Sequence, residues 1–204
     1  MSKVDMKKKS KESSLLNTAF EFFTTKGFSK TSITDIAGKA GVGKGTFYLY
    51  FKDKYDIRNK LIAKKSEQVL LRAAKELNSS DRELCFEDKV IFLIDNIINQ
   101  LNENKSLLNF ISKNLSWGVF MAALNARSEQ KNGEVNFREA FEELLSQSEK
   151  PIRQPELLLY MITELVSSTC YSTILYKEPC SLEQLKPELY KTIRGMIEQF
   201  TEDK

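Results

Sequence analysis

The stretch of sequence that decides the fold spans residues 38–51 and reads Gly38-Lys39-Ala40-Gly41-Val42-Gly43-Lys44-Gly45-Thr46-Phe47-Tyr48-Leu49-Tyr50-Phe51. It holds four of the eight glycines in the chain. Taken from Gly38, it is close to a phosphate-binding loop, except that Gly45 stands where the strict pattern has serine or threonine. Taken from Ser32, it predicts a short helix, a glycine turn and a second short helix, as in helix-turn-helix proteins that bind DNA. The first interpretation predicts a nucleotide enzyme and the second a gene regulator.

The residues around this stretch disfavour the phosphate-binding loop. Such a loop follows a buried strand, because the strand end aims the loop at the phosphate. Residues 32–37 carry Thr34 and Asp35 in their middle and predict a capped helix instead. The apolar run at 90–95, which resembles a strand ending in a magnesium-binding aspartate, continues without a turn residue and with polar residues at helical spacing. The phosphate-loop nucleotide enzyme therefore stays only as an alternative.

The charge is unevenly divided along the chain. Residues 1–65 contain 15 Lys and Arg against six Asp and Glu, whereas residues 66–204 contain 16 against 22. The net charge of +3 therefore hides a basic first third and an acidic remainder. A basic segment of this kind favours contact with a polyanion. The five lysines of residues 1–11 suit a flexible solvated arm, but the rest of the segment is still basic without them.

Composition excludes several classes of function. The chain of 204 residues is 41% hydrophobic and 29% charged, which is typical of a soluble globular protein. It contains no histidine, so Ser-His-Asp catalysis, Cys-His catalysis and His-based zinc sites are excluded. No stretch approaches the roughly 18 uninterrupted apolar residues of a membrane helix, and the lysine-rich N-terminus lacks the apolar core of a secretion signal. We expect a cytoplasmic protein with no catalytic residue, metal, cofactor or membrane partner.

Helical periodicity predicts an all-α protein of about nine helices. The first helix has a buried face of Leu15, Leu16, Ala19, Phe20 and Phe23, and Gly27 ends it. Ser32 and Asp35 predict a capping box for the second helix, and Gly41 ends that helix. The third helix is expected from about Lys44 to Tyr50, and the fourth from the Asp53 cap to Leu77.

The rest of the chain predicts a larger helical body behind this small basic head. Further helices are expected at about 84–102, 106–126, 134–148, 156–176 and 182–201. Pro187 is expected in the first turn of the last helix, or else as a kink. We expect a head domain at 1–56, with 1–11 as a basic flexible arm, and a body domain at 57–204.

The third helix has the chemistry of a helix that enters the DNA major groove. Gly43, Gly45 and Thr46 keep its front slim, so that the backbone can approach DNA closely. Lys44 can donate to guanine or to phosphate, and the hydroxyls of Tyr48 and Tyr50 can donate to phosphates. Phe47 and Phe51 lie four residues apart and are expected to pack into the core.

At these residues the chain resembles the tetracycline-repressor (TetR) family of bacterial regulators. The resemblance covers roughly residues 11–58 and rests on two runs, Thr31-Ser32-Ile33-Thr34-Asp35-Ile36-Ala37 and Ala40-Gly41-Val42-Gly43-Lys44-Gly45-Thr46-Phe47-Tyr48-Leu49-Tyr50-Phe51-Lys52-Asp53-Lys54. It implies an all-α homodimer whose N-terminal helix-turn-helix domain binds a palindromic double-stranded DNA operator. It also implies a C-terminal domain that dimerises and binds a small-molecule effector, which releases the repressor from DNA.

Carried over position by position, the resemblance implies a set of DNA contacts. Ser32 and Thr34 would meet phosphates at the start of the second helix, and Leu49 would contact a base. Gly43 departs from the signature, because serine is commoner at this N-cap position. The whole predicted DNA-binding set is Thr31, Ser32, Thr34, Lys44, Gly45, Thr46, Tyr48, Leu49, Tyr50 and Lys54.

Two apolar stripes on the last two helices are the predicted dimer interface. They consist of Leu157, Leu158, Met161 and Leu165 on one helix and of Leu189, Ile193, Met196, Ile197 and Phe200 on the other. Two such stripes on antiparallel neighbours can form a four-helix interface across a two-fold axis. The alternative is that they close the core of a single chain.

An aromatic and methionine-rich group in the body is the predicted lining of a ligand pocket. It consists of Phe110, Trp117, Phe120, Met121, Tyr160 and Tyr171. Pockets for small molecules are lined mainly by such residues. Ordinary core packing is the alternative for each of them.

Overall fold

The computed structural model of the protein describes residues 3–80, 83–112 and 137–201. Within these ranges the chain forms nine α-helices and no strand, which confirms the all-α prediction. The helices are α1 (Lys3–Thr25), α2 (Ile33–Lys39), α3 (Lys44–Tyr48), α4 (Lys54–Asn78), α5 (Phe86–Glu103), α6 (Lys105–Ser112), α7 (Phe137–Ser146), α8 (Pro155–Tyr176) and α9 (Leu182–Phe200).

Helix α1 is longer than the sequence pattern predicts. Its buried face includes Leu15 and Ala19, both fully buried, and Gly27 ends the helix region with a φ of 85°. The helix begins at Lys3, so residues 3–11 are helical where the sequence predicts a flexible arm, and residues 5–11 are exposed. The reason is that this segment contains no glycine or proline, and lysine is a good helix former.

A tight glycine turn joins α2 to α3. Ser32 and Asp35 form the predicted capping box at the start of α2. Gly41 has a φ of 70°, a conformation that a residue with a Cβ rarely adopts. The N–H of Val42 donates to the carbonyl of Ala37 at 3.0 Å, which closes the turn. Helix α3 ends at Tyr48, two residues earlier than predicted.

Two hydrophobic clusters organise the helices. The head cluster consists of Leu15, Leu16, Ala19, Phe22, Phe23, Ile36, Ala37, Phe47, Phe51, Ile57, Leu61, Ile62, Phe110 and Ile111. The body cluster consists of Phe86, Ile94, Ile98, Leu108, Leu158, Ile162, Cys170, Ile174, Leu189, Ile193 and Ile197. Helix α4 runs unbroken past the head cluster and packs on α5, so the expected boundary at residue 56 falls in its first turn.

Helices α8 and α9 form the centre of the body cluster. Leu158, Leu189, Ile193 and Ile197 are buried there, so the prediction that these four residues form the dimer interface is wrong. One residue on a helix is a rotation of about 100°, which turns Leu158 inward and its neighbour Leu157 outward. Leu157 and Met161 are 43% and 39% exposed, and Leu165, Met196 and Phe200 are partly buried. For these five residues the interface stays a prediction.

Two features of these helices differ from the sequence expectation. Pro187 lies inside α9, beyond its first turn. Helix α8 is long and apolar enough, by length and composition, to cross a membrane. Core helices of soluble proteins pass the same test, and here Leu158, Ile162, Cys170 and Ile174 of α8 pack in the body cluster.

Asp95 of α5 connects α5 to α9 through a polar network. Its Oδ1 accepts hydrogen bonds from Lys186 Nζ at 2.6 Å and from Tyr190 Oη at 2.5 Å. Burial alone would raise the pKa of Asp95, but the hydrogen bonds from Lys186 and Tyr190 outweigh it and lower that pKa. The carboxylate therefore stabilises the fold above its unfolded pKa of about 3.9. This stabilisation is lost as the pH falls through the lower folded pKa.

We expect Asp95→Asn to lower the free energy of unfolding at neutral pH by roughly 1 kcal/mol, since the amide cannot offset the Lys186 charge at this half-buried site. The variant should also lose less stability than the wild type on acidification. Urea unfolding at several pH values between neutral and acid measures both effects. The control is Asp88→Asn, which removes an exposed pair with Arg194 and should cost less than about 0.5 kcal/mol. Equal losses in the two variants would contradict the role of the network.

Candidate nucleic-acid interface

Two buried aromatic rings anchor α3 to the head. Phe47 and Phe51 are 0% and 1% exposed, and their ring centroids lie 5.5 Å apart. The residues between them turn outward, because a helix that buries one side presents the other to solvent. Tyr48 is 50% exposed and Leu49 is 79% exposed. The prediction that Phe47 and Phe51 pack in the core is confirmed.

The outward face of α3 is open and slim at its N-terminal end. Lys44 and Gly45 are exposed, and Thr46 is half-buried. Gly43 is the N-cap residue and supplies no side-chain hydrogen bond, as the sequence predicts. A Cβ at Gly43 or Gly45 would meet no atom within 4 Å. Packing inside the described protein therefore does not require these glycines. Their lack of side chains leaves room for a partner to approach the backbone closely.

The start of α2 lies on the same head and carries two predicted phosphate contacts. Ser32 Oγ donates to Asp35 Oδ2 at 2.7 Å and accepts from the Asp35 N–H at 3.0 Å. The side-chain and backbone hydrogen bonds from Ser32 lower the pKa of Asp35. The Ser32 hydroxyl hydrogen is thus already used in the cap, whereas Thr34 in the first turn is exposed. Contact of either residue with DNA stays a prediction.

Thr31 does not lie on this surface. It is 1% exposed, and its hydroxyl donates to the carbonyl of Gly27 at 2.8 Å. The prediction that Thr31 contacts DNA is therefore wrong: its hydroxyl fixes the α1–α2 loop from inside. The sequence motif placed Thr31 next to the true surface residues, but only the packing shows that it faces the core.

Lys54 has a structural role that the sequence did not indicate. Its ammonium donates to the carbonyls of Phe28 at 2.8 Å and of Thr31 at 2.9 Å, and it lies 4.4 Å from the Phe28 ring centroid. It therefore ties the start of α4 to the α1–α2 loop. An ammonium has three N–H groups, and two are used here. A contact of the third N–H with a DNA phosphate stays a prediction.

Tyr50 is half-buried against the head cluster. The contact of its hydroxyl with a DNA phosphate also stays a prediction.

Helix α6 joins the head to the body. The Phe110 ring packs edge-on against Phe20 with centroids 5.3 Å apart, and it stacks with Phe23 at 6.3 Å. Ile111 is buried in the head cluster, and Leu108 is buried in the body cluster. The prediction that Phe110 lines a ligand pocket is wrong, because its ring is part of the head core.

A partly open cavity of about 1060 Å³ lies in the body, lined mainly by α4, α5, α7 and α8. Among the described residues, its apolar lining is mostly aliphatic, with Phe86 and Phe141 as the aromatic members. Leu108 and Ile111 of α6 also reach it, so Ile111 belongs both to the cavity wall and to the head cluster. Helices α4 and α6 thus both line the cavity and supply residues to the head cluster.

Two other predicted pocket residues, both among the described ones, do not line this cavity. Tyr160 is 38% exposed on α8. The Tyr171 hydroxyl donates to Asn109 Oδ1 at 3.3 Å, and its ring lies against Tyr176. The predictions for these two tyrosines are wrong for this cavity. Trp117, Phe120 and Met121 lie outside the described residues.

Ser66 is a cavity residue that the sequence analysis missed. It is 7% exposed, and its hydroxyl has no hydrogen-bond partner among the described residues. The signal was present in the sequence, because Ser66 interrupts the apolar stripe that Ile62, Val69 and Ala73 form along α4. A buried hydroxyl without a partner is costly, and Ser66 lies in the wall of the cavity.

The helix-turn-helix segment matches a known family of regulators. The profile of the bacterial regulatory proteins of the tetR family matches residues 15–61. These residues run from the buried Leu15 of α1 to the buried Leu61 of α4 and include all of α2 and α3. Residues 15–61 therefore form a TetR-family DNA-binding domain.

Curated relatives of the protein match its head. The fatty acid metabolism regulator protein of Bacillus subtilis is 34% identical over 70 residues, covering 34% of this chain and 36% of the relative. The HTH-type transcriptional repressor BepR of Brucella suis is 34% identical over 64 residues, covering 30% of this chain and 31% of the relative. The matched segments thus span about a third of the length of these relatives.

The TetR-family fold extends over the body as well. The crystal structure of the transcriptional regulator FadR from Bacillus subtilis in complex with stearoyl-CoA matches with a TM-score of 0.62. The match covers 88% of this chain and 96% of FadR at 18% identity, so it shows a common fold.

We expect Lys54→Met to lower the free energy of unfolding by roughly 1–2 kcal/mol, because it leaves the carbonyls of Phe28 and Thr31 without their donor. Urea unfolding measures this loss. The control is Lys52→Met, because Lys52 is exposed at the neighbouring position and should change stability by less than about 0.5 kcal/mol. A Lys54→Met variant as stable as the control would show that these hydrogen bonds contribute nothing.

Proposed function

We propose that this TetR-family protein is a transcriptional repressor that binds a palindromic operator. The observation that carries the proposal is the outward face of α3, where Lys44, Tyr48 and Leu49 project from a rigid aromatic anchor. The basic charge of residues 1–65 supports it. No observation supports the nucleotide enzyme, because Gly38 and Lys39 lie within α2 and residues 90–95 lie within α5.

The geometry of the head suits insertion of α3 into the major groove. Lys44 and Gly45 form the first turn of α3, the end that reaches base edges in helix-turn-helix proteins. A lysine there can donate to guanine acceptors, and exposed Leu49 can make apolar contact with thymine methyl groups. Tyr48 and Thr34 are both exposed, and their hydroxyls can position the duplex through its phosphates.

We infer that the protein acts as a homodimer through the outer side of α8. Leu157, Met161 and Leu165 follow one another at four-residue spacing, and the first two are among the exposed large apolar side chains. An exposed apolar stripe on a core helix favours an isologous contact with a second copy. Two heads related by a two-fold axis would then meet the two halves of a palindrome.

The effector proposal rests on the cavity in the body. Its volume is at the upper end of the range of ligand pockets, roughly 300–1,000 Å³. The aliphatic lining favours a flexible hydrocarbon chain over a planar aromatic compound. Lys64 and Lys75, both exposed, and the partly buried Lys89 border the cavity and suit an anionic head group. Since FadR in its solved structure binds stearoyl-CoA, we propose a long-chain acyl amphiphile as the effector.

Helix α6 provides a direct route from effector to DNA. A ligand that displaces Ile111 must also move Phe110, because the two residues are adjacent on one helix. Phe110 packs against Phe20 and Phe23 of α1, so its movement shifts the head relative to the body. A change in the spacing of two heads releases DNA, provided that the ligand binds this shifted state more tightly.

We expect Lys44→Ala to weaken operator binding by roughly 1–3 kcal/mol, because it removes the charged donor at the groove-facing end of α3. Tyr48→Phe should cost roughly 0.5–1.5 kcal/mol through the loss of its hydroxyl. Fluorescence anisotropy measures both, with a duplex that the wild-type protein selects from a random pool. Wild-type affinity should fall steeply as salt rises.

The matched control for this experiment is Lys150→Ala, since Lys150 is exposed in the body. It should leave operator affinity unchanged. Salt-independent DNA binding, or the absence of any selected duplex, would contradict the repressor. Saturable ATP binding that disappears in Lys44→Ala would instead support the alternative of a nucleotide enzyme.

For the effector, we expect acyl-CoA thioesters to release the duplex with a potency that rises with chain length, because each added methylene buries more apolar surface. Ser66→Ala should weaken acyl-CoA binding by roughly 0.5–1.5 kcal/mol without lowering protein stability, because the hydroxyl has no partner in the described protein. Displacement of an apolar fluorescent dye measures binding directly, and anisotropy measures DNA release.

A second variant tests the location of the ligand. Leu93→Trp places a larger side chain in the cavity wall and should weaken acyl-CoA binding, whereas Tyr176→Trp introduces the same side chain at a residue that is 61% exposed and outside the cavity lining. Equal binding to the two variants would place the ligand elsewhere. Release that is independent of chain length would contradict the acyl class.

A further inference from the structure

Helix α1 extends past the end of the head at which α3 begins. Thr31, just before α2, is hydrogen-bonded to Phe22 and Gly27 near the end of α1. At the other end of α2, Ser14 Oγ donates to the carbonyl of Ala40 at 3.3 Å. Helix α2 therefore runs antiparallel to α1, and the glycine turn lies level with Ser14. The first turns of α1 continue beyond that turn.

Two lysines on these turns share the face of α1 that packs against α2. Lys8 and Lys11 precede Leu15 by seven and four residues, the spacings that place side chains on one helix face. That face buries Leu15 and Phe22 farther along. Lys8 lies about 9 Å beyond Ser14 along the axis, at 1.5 Å per residue. Both lysines are exposed, because α2 ends before reaching them.

Lys9 lies on a different face of α1 from Lys8 and Lys11, so it can be compared with them. It precedes Leu16 by seven residues, and Phe23 by fourteen, so it shares the stripe that includes Phe23. Phe23 packs against Phe110 of α6. Lys9 therefore extends the side of α1 that faces the body, whereas Lys8 and Lys11 extend the side that faces the helix-turn-helix.

We propose that Lys8 and Lys11 bind DNA phosphates that flank the base pairs met by α3. The proposal deepens the repressor function and rests on it. The lysines stand at the same end of the head as Lys44, and residues 1–11 contain five lysines and one aspartate, which complements the charge of a duplex. A helical extension holds its lysines in fixed positions relative to α3, which a flexible arm does not. The contacts carry no sequence information, because every base pair has the same phosphates.

The test is the double variant Lys8→Gln/Lys11→Gln, which keeps helix propensity and removes two positive charges. A dimer would lose four phosphate contacts, so the slope of log affinity against log salt should become shallower by roughly 3–4. Affinity at moderate salt should fall at least about tenfold, equally for the selected duplex and for a scrambled duplex of the same length.

The control is Lys105→Gln/Lys191→Gln, which removes the same charge from exposed positions in the body. It should leave the slope unchanged, and Lys9→Gln alone should change the slope less than Lys8→Gln alone. A wild-type slope in the double variant would overturn the inference while leaving the repressor intact. Failure of the wild-type protein to bind either duplex would overturn both. Circular dichroism of each variant shows whether α1 keeps its helix.

Discussion

The burial of Phe47 and Phe51 is the constraint on which the functional surface depends. Helix α3 has only five residues, and an isolated helix of that length is not stable in water. Its conformation is therefore imposed by the two rings that the head cluster holds. Because those rings fix the rotation of α3 about its axis, they also decide that Tyr48 and Leu49 face outward. The exposed face proposed to bind DNA is a consequence of core packing.

A second group of contacts fixes the loops around α3 with buried polar atoms. Thr31 and Lys54 both act on the α1–α2 loop, one through its hydroxyl and one through its ammonium. Backbone carbonyls that are shielded from water need such donors. Both residues belong to the predicted DNA-binding set, and for Lys54 that contact stays a prediction. In the structure they hold the frame that places the true surface residues.

At the junction between head and body, α6 supplies side chains to both hydrophobic clusters. Phe110 and Ile111 of α6 belong to the head cluster, and Leu108 of the same helix belongs to the body cluster. Close-packed interiors transmit displacement, because side chains in them have little free space. Ile111 also lines the cavity, so a change in the cavity volume reaches the aromatic cluster of the head without an intermediate element. The proposed control of DNA binding by an effector requires a short connection of this kind.

By itself, the sequence determined the local structure of this protein: the capping box at Ser32, the turn at Gly41, the Asp53 cap and the helical periodicity of both halves. These features depend on neighbouring residues and on side-chain hydrogen bonds within one turn. They can therefore be predicted from the sequence alone. The family resemblance extended this to the outward residues of α3. Only the tertiary structure decided which residues of the apolar stripes on α8 and α9 lie in the core and which lie on the surface. Leu158 and Leu157 differ by one position, yet one lies in the core and the other outside. Likewise, Phe110 joined the head rather than a pocket, and the cavity formed around aliphatic residues and Ser66. Burial depends on contacts between residues far apart in sequence, and periodicity alone does not specify the partner.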